Sequence, residues 1–183
     1  MKHLIGIDAG FVSTGLSSFE VGEGKFKFKG CMTISTSKSD KKKQVRVADD
    51  DADRIKVITL GIKDFIETYA NDGDIMVAVE LPTGGSQGSR ANRLMGIVTG
   101  AVVAILTMLD IPVEYITPND VKIAVTGKKT ATKDEIMDRI RLVLAQYKSL
   151  LPKTKGEFEH IADSIGVCIH IKRHSSLFRV FVG

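Results

Sequence analysis

Two carboxylates in this sequence each end a short apolar run. Asp8 follows the run at residues 4–7, and Glu80 follows the run at residues 75–79. Runs this short and apolar predict strands buried inside a sheet. A charge at the end of a buried strand costs free energy unless a cation, hydrogen bonds or a metal compensate it. Asp8 could instead start a turn that faces water, and Glu80 could be a salt-bridge partner that caps its strand.

A second pair of candidate ligands lies near the C-terminus. His160 and Asp163 are three residues apart, so a helix places both on one face. Both residue types bind divalent metals, and with the two strand-end carboxylates they would complete a metal site. Alternatively, His160 is a surface histidine, and Glu157 or Glu159 supplies the remaining ligand.

Such a site suits phosphodiester hydrolysis, which needs an activated water and neutralisation of charge on the leaving oxygen. Two metal ions about 3.5–4 Å apart supply both and lower the pKa of the bound water toward about 7. Hard cations such as Mg²⁺ prefer oxygen ligands. In this hypothesis Asp8 bridges the two ions, Glu80 holds one of them, and His160 with Asp163 holds the other.

Length and composition indicate one soluble domain. The chain has 183 residues, of which 43% are hydrophobic and 26% charged, which is ordinary for a globular protein. Its two cysteines, Cys31 and Cys168, are far apart, so the sequence suggests neither a disulfide framework nor a Cys-based zinc site and fits a reducing cytoplasm. The longest uncharged run, residues 94–109, is shorter than a membrane span and predicts a buried helix, so we expect no membrane association.

The net charge of +4 is concentrated in two basic segments. Residues 36–47 contain five Lys or Arg against one acid, and residues 119–155 contain nine against four. This distribution suits a polyanion such as nucleic acid, although charge runs are also typical of solvated faces. The candidate DNA-binding residues are Lys41, Lys42, Lys43, Arg90, Lys122, Lys128, Lys129 and Lys133.

Hydrophobic periodicity predicts the elements that position these residues. Strands are expected over residues 11–20, 25–35, 75–80 and 111–116, and helices over residues 49–71, 94–109, 119–126 and 158–173, with one more from a capping box at Thr132 to Tyr147. Residues 35–48 and 83–92 are predicted to be loops.

This order of elements, with mixed strand pairing, is typical of an RNase H-like fold, an α/β architecture with a central mixed five-stranded sheet flanked by helices. In that layout the first strand is central and the strand that ends at Glu80 lies beside it. Asp8 and Glu80 would then share the carboxyl edge of the sheet, where open α/β sheets place their sites. We predict a single domain over residues 1–183.

The sequence resembles the RuvC-like Holliday junction resolvases, in particular their small phage-type members. Four pieces carry the resemblance, in the family's order and with similar spacing. They are Gly6-Ile7-Asp8-Ala9-Gly10 with Thr14-Gly15, Val79-Glu80 before a Gly-rich loop, Thr117-Pro118 leading to Val121-Lys122 and then Gly127 and Lys133, and His160-Ile161-Ala162-Asp163.

The resemblance implies a nuclease that cuts four-way DNA junctions as a homodimer with Mg²⁺ or Mn²⁺, two ions per site, in the cytoplasm of a bacterial or phage-infected cell. It implies that Asp8, Glu80 and Asp163 are catalytic carboxylates and that His160 occupies a position where the family has Asp or His. Lys122 and Lys133 match basic positions near the scissile phosphate. We expect the helix over residues 94–109 to form the dimer interface.

The sequence departs from the family pattern in two places. Residues 81–83 lack the aromatic side chain that some members place after the second acid, and the basic segment at residues 38–46 is long. Three rival functions follow from the same features. They are a related nuclease acting on flaps, single strands or RNA, a non-catalytic binder of DNA structures, and an actin-like ATPase, whose two domains a chain of 183 residues cannot supply.

Overall fold

The computed structural model describes residues 1–39, 45–81 and 88–183. Its centre is one five-stranded sheet with strand order β3-β2-β1-β4-β5. The strands are β1 (Lys2–Asp8), β2 (Ser13–Gly22), β3 (Lys25–Ser35), β4 (Asp74–Glu80) and β5 (Val113–Ile116). The first three strands pair antiparallel, whereas β1–β4 and β4–β5 are parallel. The predicted mixed sheet with a central first strand is therefore confirmed.

Helices cover both faces of this sheet. They are α1 (Val47–Ala70), α2 (Ser89–Met108), α3 (Pro118–Thr126), α4 (Lys133–Val143), α5 (Lys155–His174) and α6 (Ser176–Val182), with a short 3₁₀ helix at Ala145–Leu150. The alternation of side chains along β1 separates two cores, because Leu4 packs with α3 to α6 while Ile5 and Ile7 pack with α1 and α2.

The helix α5 lies directly against the sheet because two glycines face it. A Cβ atom at Gly6 of β1 would lie 2.1 Å from the backbone oxygen of Ser164, and one at Gly15 of β2 would lie 2.1 Å from the backbone oxygen of His160. No side chain fits in either gap. This close approach brings the candidate ligands on α5 to the edge of the sheet where Asp8 lies.

The helix α2 packs on the fold by a single stripe. Its buried residues are spaced four apart: Leu94, Val98, Val102 and Leu106. It is long and apolar enough to cross a membrane, a property that core helices of soluble proteins share. The opposite face is uncovered in the described chain: Ile97 is 44% exposed and Met108 85% exposed, and Cβ atoms added at Gly96 and Gly100 would meet nothing within 4 Å.

Several predicted boundaries were wrong. The predicted loop at residues 83–92 gives way to α2 already at Ser89, and its N-cap, Gly88, has no side chain to signal a helix start. The helix predicted to reach Tyr147 ends at Val143, followed by a 3₁₀ turn. The strand predicted from residue 11 begins at Ser13. The C-terminal helix α6 was not predicted.

Candidate active site

The two strand-end carboxylates lie side by side at one edge of the sheet. Asp8 and Glu80 are partners in the parallel register of β1 and β4, and each is the last residue of its strand. On the side of the sheet covered by α5, His160 Nδ1 lies 2.8 Å from Asp8 Oδ2. Asp163, one turn further along α5, is close enough to Glu80 to raise the pKa of Glu80, and its own pKa is raised by Asp8. The structure thus places the four predicted site residues at the same edge of the sheet.

The electrostatics of this cluster indicate excess negative charge. Burial, reinforced by the charges of Asp8 and Asp163, raises the pKa of Glu80 to about 8. Burial and Asp8 likewise raise the pKa of Asp163 to about 7. The hydrogen bond with Asp8 raises the pKa of His160. Carboxyls that resist ionisation, as Glu80 and Asp163 do, are typical of sites that a cation completes.

The donor set fits a divalent metal. Glu80 Oε2 is buried and has no hydrogen-bond partner among the described residues, so it is free to bind an ion. The carboxylates offer the oxygen ligands that hard cations prefer. Among the described residues, no three His, Cys, Asp or Glu side chains already surround a common point where an ion could bind. The imidazole of His160 contacts the carboxylate of Asp8. For His160 to hold an ion together with the carboxylates, its imidazole would have to leave Asp8.

The alternatives to His160 are engaged elsewhere. Glu157 forms part of the N-terminal cap of α5, where Thr154 Oγ1 donates to Glu157 Oε2 at 2.6 Å. Glu159 forms an ion pair with Lys133. Of the three residues considered for this position, only His160 contacts one of the two strand-end carboxylates.

The candidate basic residues that the structure describes fall into three groups. Lys122 and Lys133 lie close enough to Glu80 to lower its pKa. Lys128 and Lys129 are exposed in the loop that follows α3, and Lys128 lies 3.6 Å from Glu135. Arg90 Nη2 is only 2.5 Å from Asp51 Oδ1, so its guanidinium already has a partner within the fold. Lys41, Lys42 and Lys43 lie outside the described residues.

Comparison with known proteins identifies the family. A family model described as crossover junction endodeoxyribonuclease RuvC matches residues 4–170. The chain belongs to the RuvC family. A RuvC from Polynucleobacter necessarius is 26% identical over 177 residues, covering 97% of this chain and 92% of the relative, and one from Chlorobaculum parvum is 27% identical over 169 residues, covering 90% and 78%.

Solved structures confirm the RNase H-like fold. A Thermus thermophilus RuvC in complex with a Holliday junction substrate superposes with a TM-score of 0.71 and 23% identity, covering 98% of this chain and 96% of that one. The fowlpox virus Holliday junction resolvase superposes with a TM-score of 0.51 and 11% identity, covering 93% and 98%. The comparisons confirm two inferences from the sequence. The chain resembles the RuvC family, and it belongs to the class of metal-dependent endodeoxyribonucleases.

Sequence reasoning missed a polar cluster beside the site of this RuvC-family chain. Arg54 of α1 is 7% exposed, stacks on Phe11 at 4.0 Å and donates from Nε to Thr36 Oγ1. Thr36 in turn donates to the backbone oxygen of Phe11, so the segment after Asp8 is held in place. The sequence carried one signal for this cluster: Arg54 places a charge on the same face of α1 as the apolar residues Ile58 and Ile62.

The raised pKa values predict how stability depends on pH without metal. The carboxyls of Glu80 and Asp163 and the imidazole of His160 all bind protons more tightly in the folded state than in the unfolded state. This stabilisation is complete below the unfolded pKa of each group and is lost as pH rises through its folded pKa. In EDTA, Tm should be lower at about pH 8.5 than at about pH 5.5, by at least about 5 °C.

Differential scanning calorimetry would measure this change. Glu80→Gln, which keeps the shape but removes the charge, should flatten the dependence, and Mg²⁺ added at the higher pH should restore Tm. A Tm that stays constant or rises over this interval would contradict the electrostatic description of the site.

Proposed function

We propose that this chain is a structure-selective endonuclease that resolves four-way DNA junctions by metal-dependent phosphodiester hydrolysis. The observation that carries the proposal is the pairing of Asp8 and Glu80 at one sheet edge, opposite His160 and Asp163. Family membership supports the reaction class, and the relatives carry the name crossover junction endodeoxyribonuclease. The Thermus thermophilus relative is a complex with a Holliday junction, which supports the choice of substrate.

The proposed cofactor is Mg²⁺, for which Mn²⁺ would substitute, with two ions per site held by Asp8, Glu80, His160 and Asp163. When bound, the metal activates the attacking water and neutralises charge on the leaving oxygen. His160 would act as a ligand only if its imidazole left Asp8, which would also make Oδ2 of Asp8 available as a ligand. The unpartnered Glu80 Oε2 supports a ligand role for Glu80.

Basic residues near the carboxylates would position the DNA substrate. Lys122 and Lys133 lie near enough to Glu80 to act on its pKa, and their ammonium groups would bind phosphates flanking the scissile bond. The DNA-binding role of Arg90 is less direct, because its ion pair with the buried Asp51 ties α2 to α1.

The two hydrophobic cores share one sheet, which supports a single nuclease domain over residues 1–183. The bacterial relatives support a location in the bacterial cytoplasm.

Cleavage assays with Mg²⁺ on four substrates test this function: a four-way junction, a flap, plain duplex and an RNA–DNA hybrid. The proposal expects cleavage of the junction at two symmetric positions and little cleavage of plain duplex. Faster cleavage of the flap or the hybrid would assign the chain to another branch of RNase H-like nucleases.

The loop after α3 supports a prediction on salt dependence. Each phosphate contact releases counterions, so the logarithm of affinity falls with that of salt by about 0.9 per contact to B-DNA. Replacing Lys128 and Lys129 together with Ala should reduce this slope by up to about 1.8, measured by fluorescence anisotropy on a junction in EDTA.

A control pair lies at the opposite end of the sheet. Lys25 and Lys27 are exposed near the start of β3, far from Asp8, and their replacement with Ala should leave the slope unchanged. An equal effect of the two double substitutions, or no effect of the first, would place the DNA on another surface.

We also propose that the active unit is a homodimer in which α2 meets its copy. A four-way junction presents two strands of like polarity, and a C₂ dimer presents two related sites. The uncovered face of α2 supports this arrangement, because Gly96 and Gly100 leave room for a close approach while Ile97, Val103 and Met108 offer apolar surface. Within the described residues, other helices of the same chain do not bury this face.

A further inference from the structure

Lys133, which we propose above as a phosphate-binding residue, already forms an ion pair within the protein. Lys133, the first residue of α4, contacts the carboxylate of Glu159 on α5. The side chain of Lys133 is 61% exposed and that of Glu159 is 28% exposed. The backbone at Lys133 is fixed by the capping box of Thr132 and Glu135, so the ammonium group moves mainly by rotation of its own side chain.

The ammonium of Lys133 contacts Glu159 and also feels the charges of the site carboxylates Asp163 and Asp8. Burial acts to lower the pKa of Lys133, but the ion pair with Glu159 and the charges of Asp163 and Asp8 outweigh it, and the pKa is raised. A DNA phosphate that reaches Lys133 therefore competes with Glu159 for the same ammonium hydrogens. The phosphate and the Glu159 carboxylate are both oxygen anions that accept charge-assisted hydrogen bonds. Because Glu159 is part of the protein, it is always present near Lys133.

We propose that Glu159 is an internal competitor of the DNA phosphate at Lys133 and so lowers both the affinity for DNA and the salt dependence of that binding. This inference rests on the proposed function. When DNA binds, Lys133 leaves Glu159 for a phosphate, and the freed carboxylate takes up a cation from solution beside a polyanion. The net release of counterions is then smaller than the number of phosphate contacts, by up to one.

The test is Glu159→Gln, which keeps the side-chain shape and removes the charge. Its affinity for a four-way junction, measured by fluorescence anisotropy in EDTA, should rise about three- to fivefold at low salt, as expected for the loss of one exposed ion pair. The slope of log affinity against log salt should steepen by up to about 0.9. EDTA prevents cleavage and removes metal binding as an explanation. A purely structural role would not steepen the slope.

Three further variants make the test specific. Glu67→Gln breaks the comparable Lys63–Glu67 pair on α1, where the oxygen and nitrogen lie 2.6 Å apart, and should change neither quantity. Glu159→Asp keeps the charge and should restore the wild-type slope. In a Lys133→Ala background, Glu159→Gln should lose most of its effect, because the contested ammonium is gone.

An unchanged or flatter slope for Glu159→Gln, or an effect that persists fully without Lys133, would overturn this inference. Such results would leave junction cleavage by the wild-type protein intact, so they would not bear on the proposed function. Failure of the wild-type protein to cleave the junction with Mg²⁺ would instead count against the function itself.

Discussion

Replacement of Asp8 with Asn should reduce Mg²⁺-dependent junction cleavage by more than about 100-fold, a loss beyond that typical for groups that only orient metal ligands. The reason is the position of Asp8 between the two halves of the site, beside Glu80 in the register and in contact with His160. The amide keeps the size of the side chain but removes its charge. Single-turnover rates with saturating protein would isolate the chemical step.

Junction affinity in EDTA should stay within a few-fold of wild type or rise, because the substitution removes a negative charge and no phosphate contact. The folded protein should also tolerate the change, since Asp8 repels Glu80 and Asp163. Asp53→Asn on the exposed surface of α1 is a matched control that should cleave normally. A single-turnover rate for Asp8→Asn within a few-fold of wild type would exclude Asp8 as a metal ligand.

Gly100→Leu should have opposite effects on the subunit and on the dimer. In the single chain a Cβ at Gly100 meets nothing within 4 Å, and replacing a glycine inside a helix stabilises the helix by roughly 0.5–1 kcal/mol. In the dimer the added side chain appears twice, and overpacking costs about 1–3 kcal/mol per copy, so dimer affinity should fall at least about 30-fold. Sedimentation equilibrium at micromolar concentration would measure this.

Thr68→Leu, which adds a leucine to the exposed surface of α1, is the control and should leave the dimer intact. Gly100→Leu should also convert paired cuts in the junction into single nicks, because one site then acts alone. A wild-type protein that sediments as a monomer both free and on junction DNA would contradict the dimer. It would favour a nuclease with one site per substrate.

The parts of the fold that the sequence predicted well are those in which a local pattern and the tertiary structure agree. The runs that end at Asp8 and Glu80 are strands because they are buried on both faces, so their composition alone identifies them. The spacing of His160 and Asp163 was informative because α5 is a regular helix. These two patterns, together with the order of elements, were sufficient to predict the candidate site.

The features that were missed depend on contacts between distant segments. The pairing of Arg90 with Asp51 joins residues 39 positions apart, so a loop-like Gly/Ser context made Arg90 resemble a free DNA-binding residue. Glu159 was considered only as a metal ligand because its partner, Lys133, lies on another helix. The periodicity of a sequence does not show which of several charged side chains will form an ion pair.

The close contact of α5 with the sheet gives the site a fixed width. Gly6 and Gly15 lie under Ser164 and His160, so the backbone of α5 rests on the backbone of β1 and β2 without a side chain between them. The distance between the backbones that carry Asp8 and the ligands on α5 is therefore fixed by main-chain contact, and side-chain rotation changes only how the side chains reach across it. A larger residue at either glycine would separate the two backbones and carry His160 and Asp163 away from Asp8, so both glycines shape the site without contacting any ligand in it.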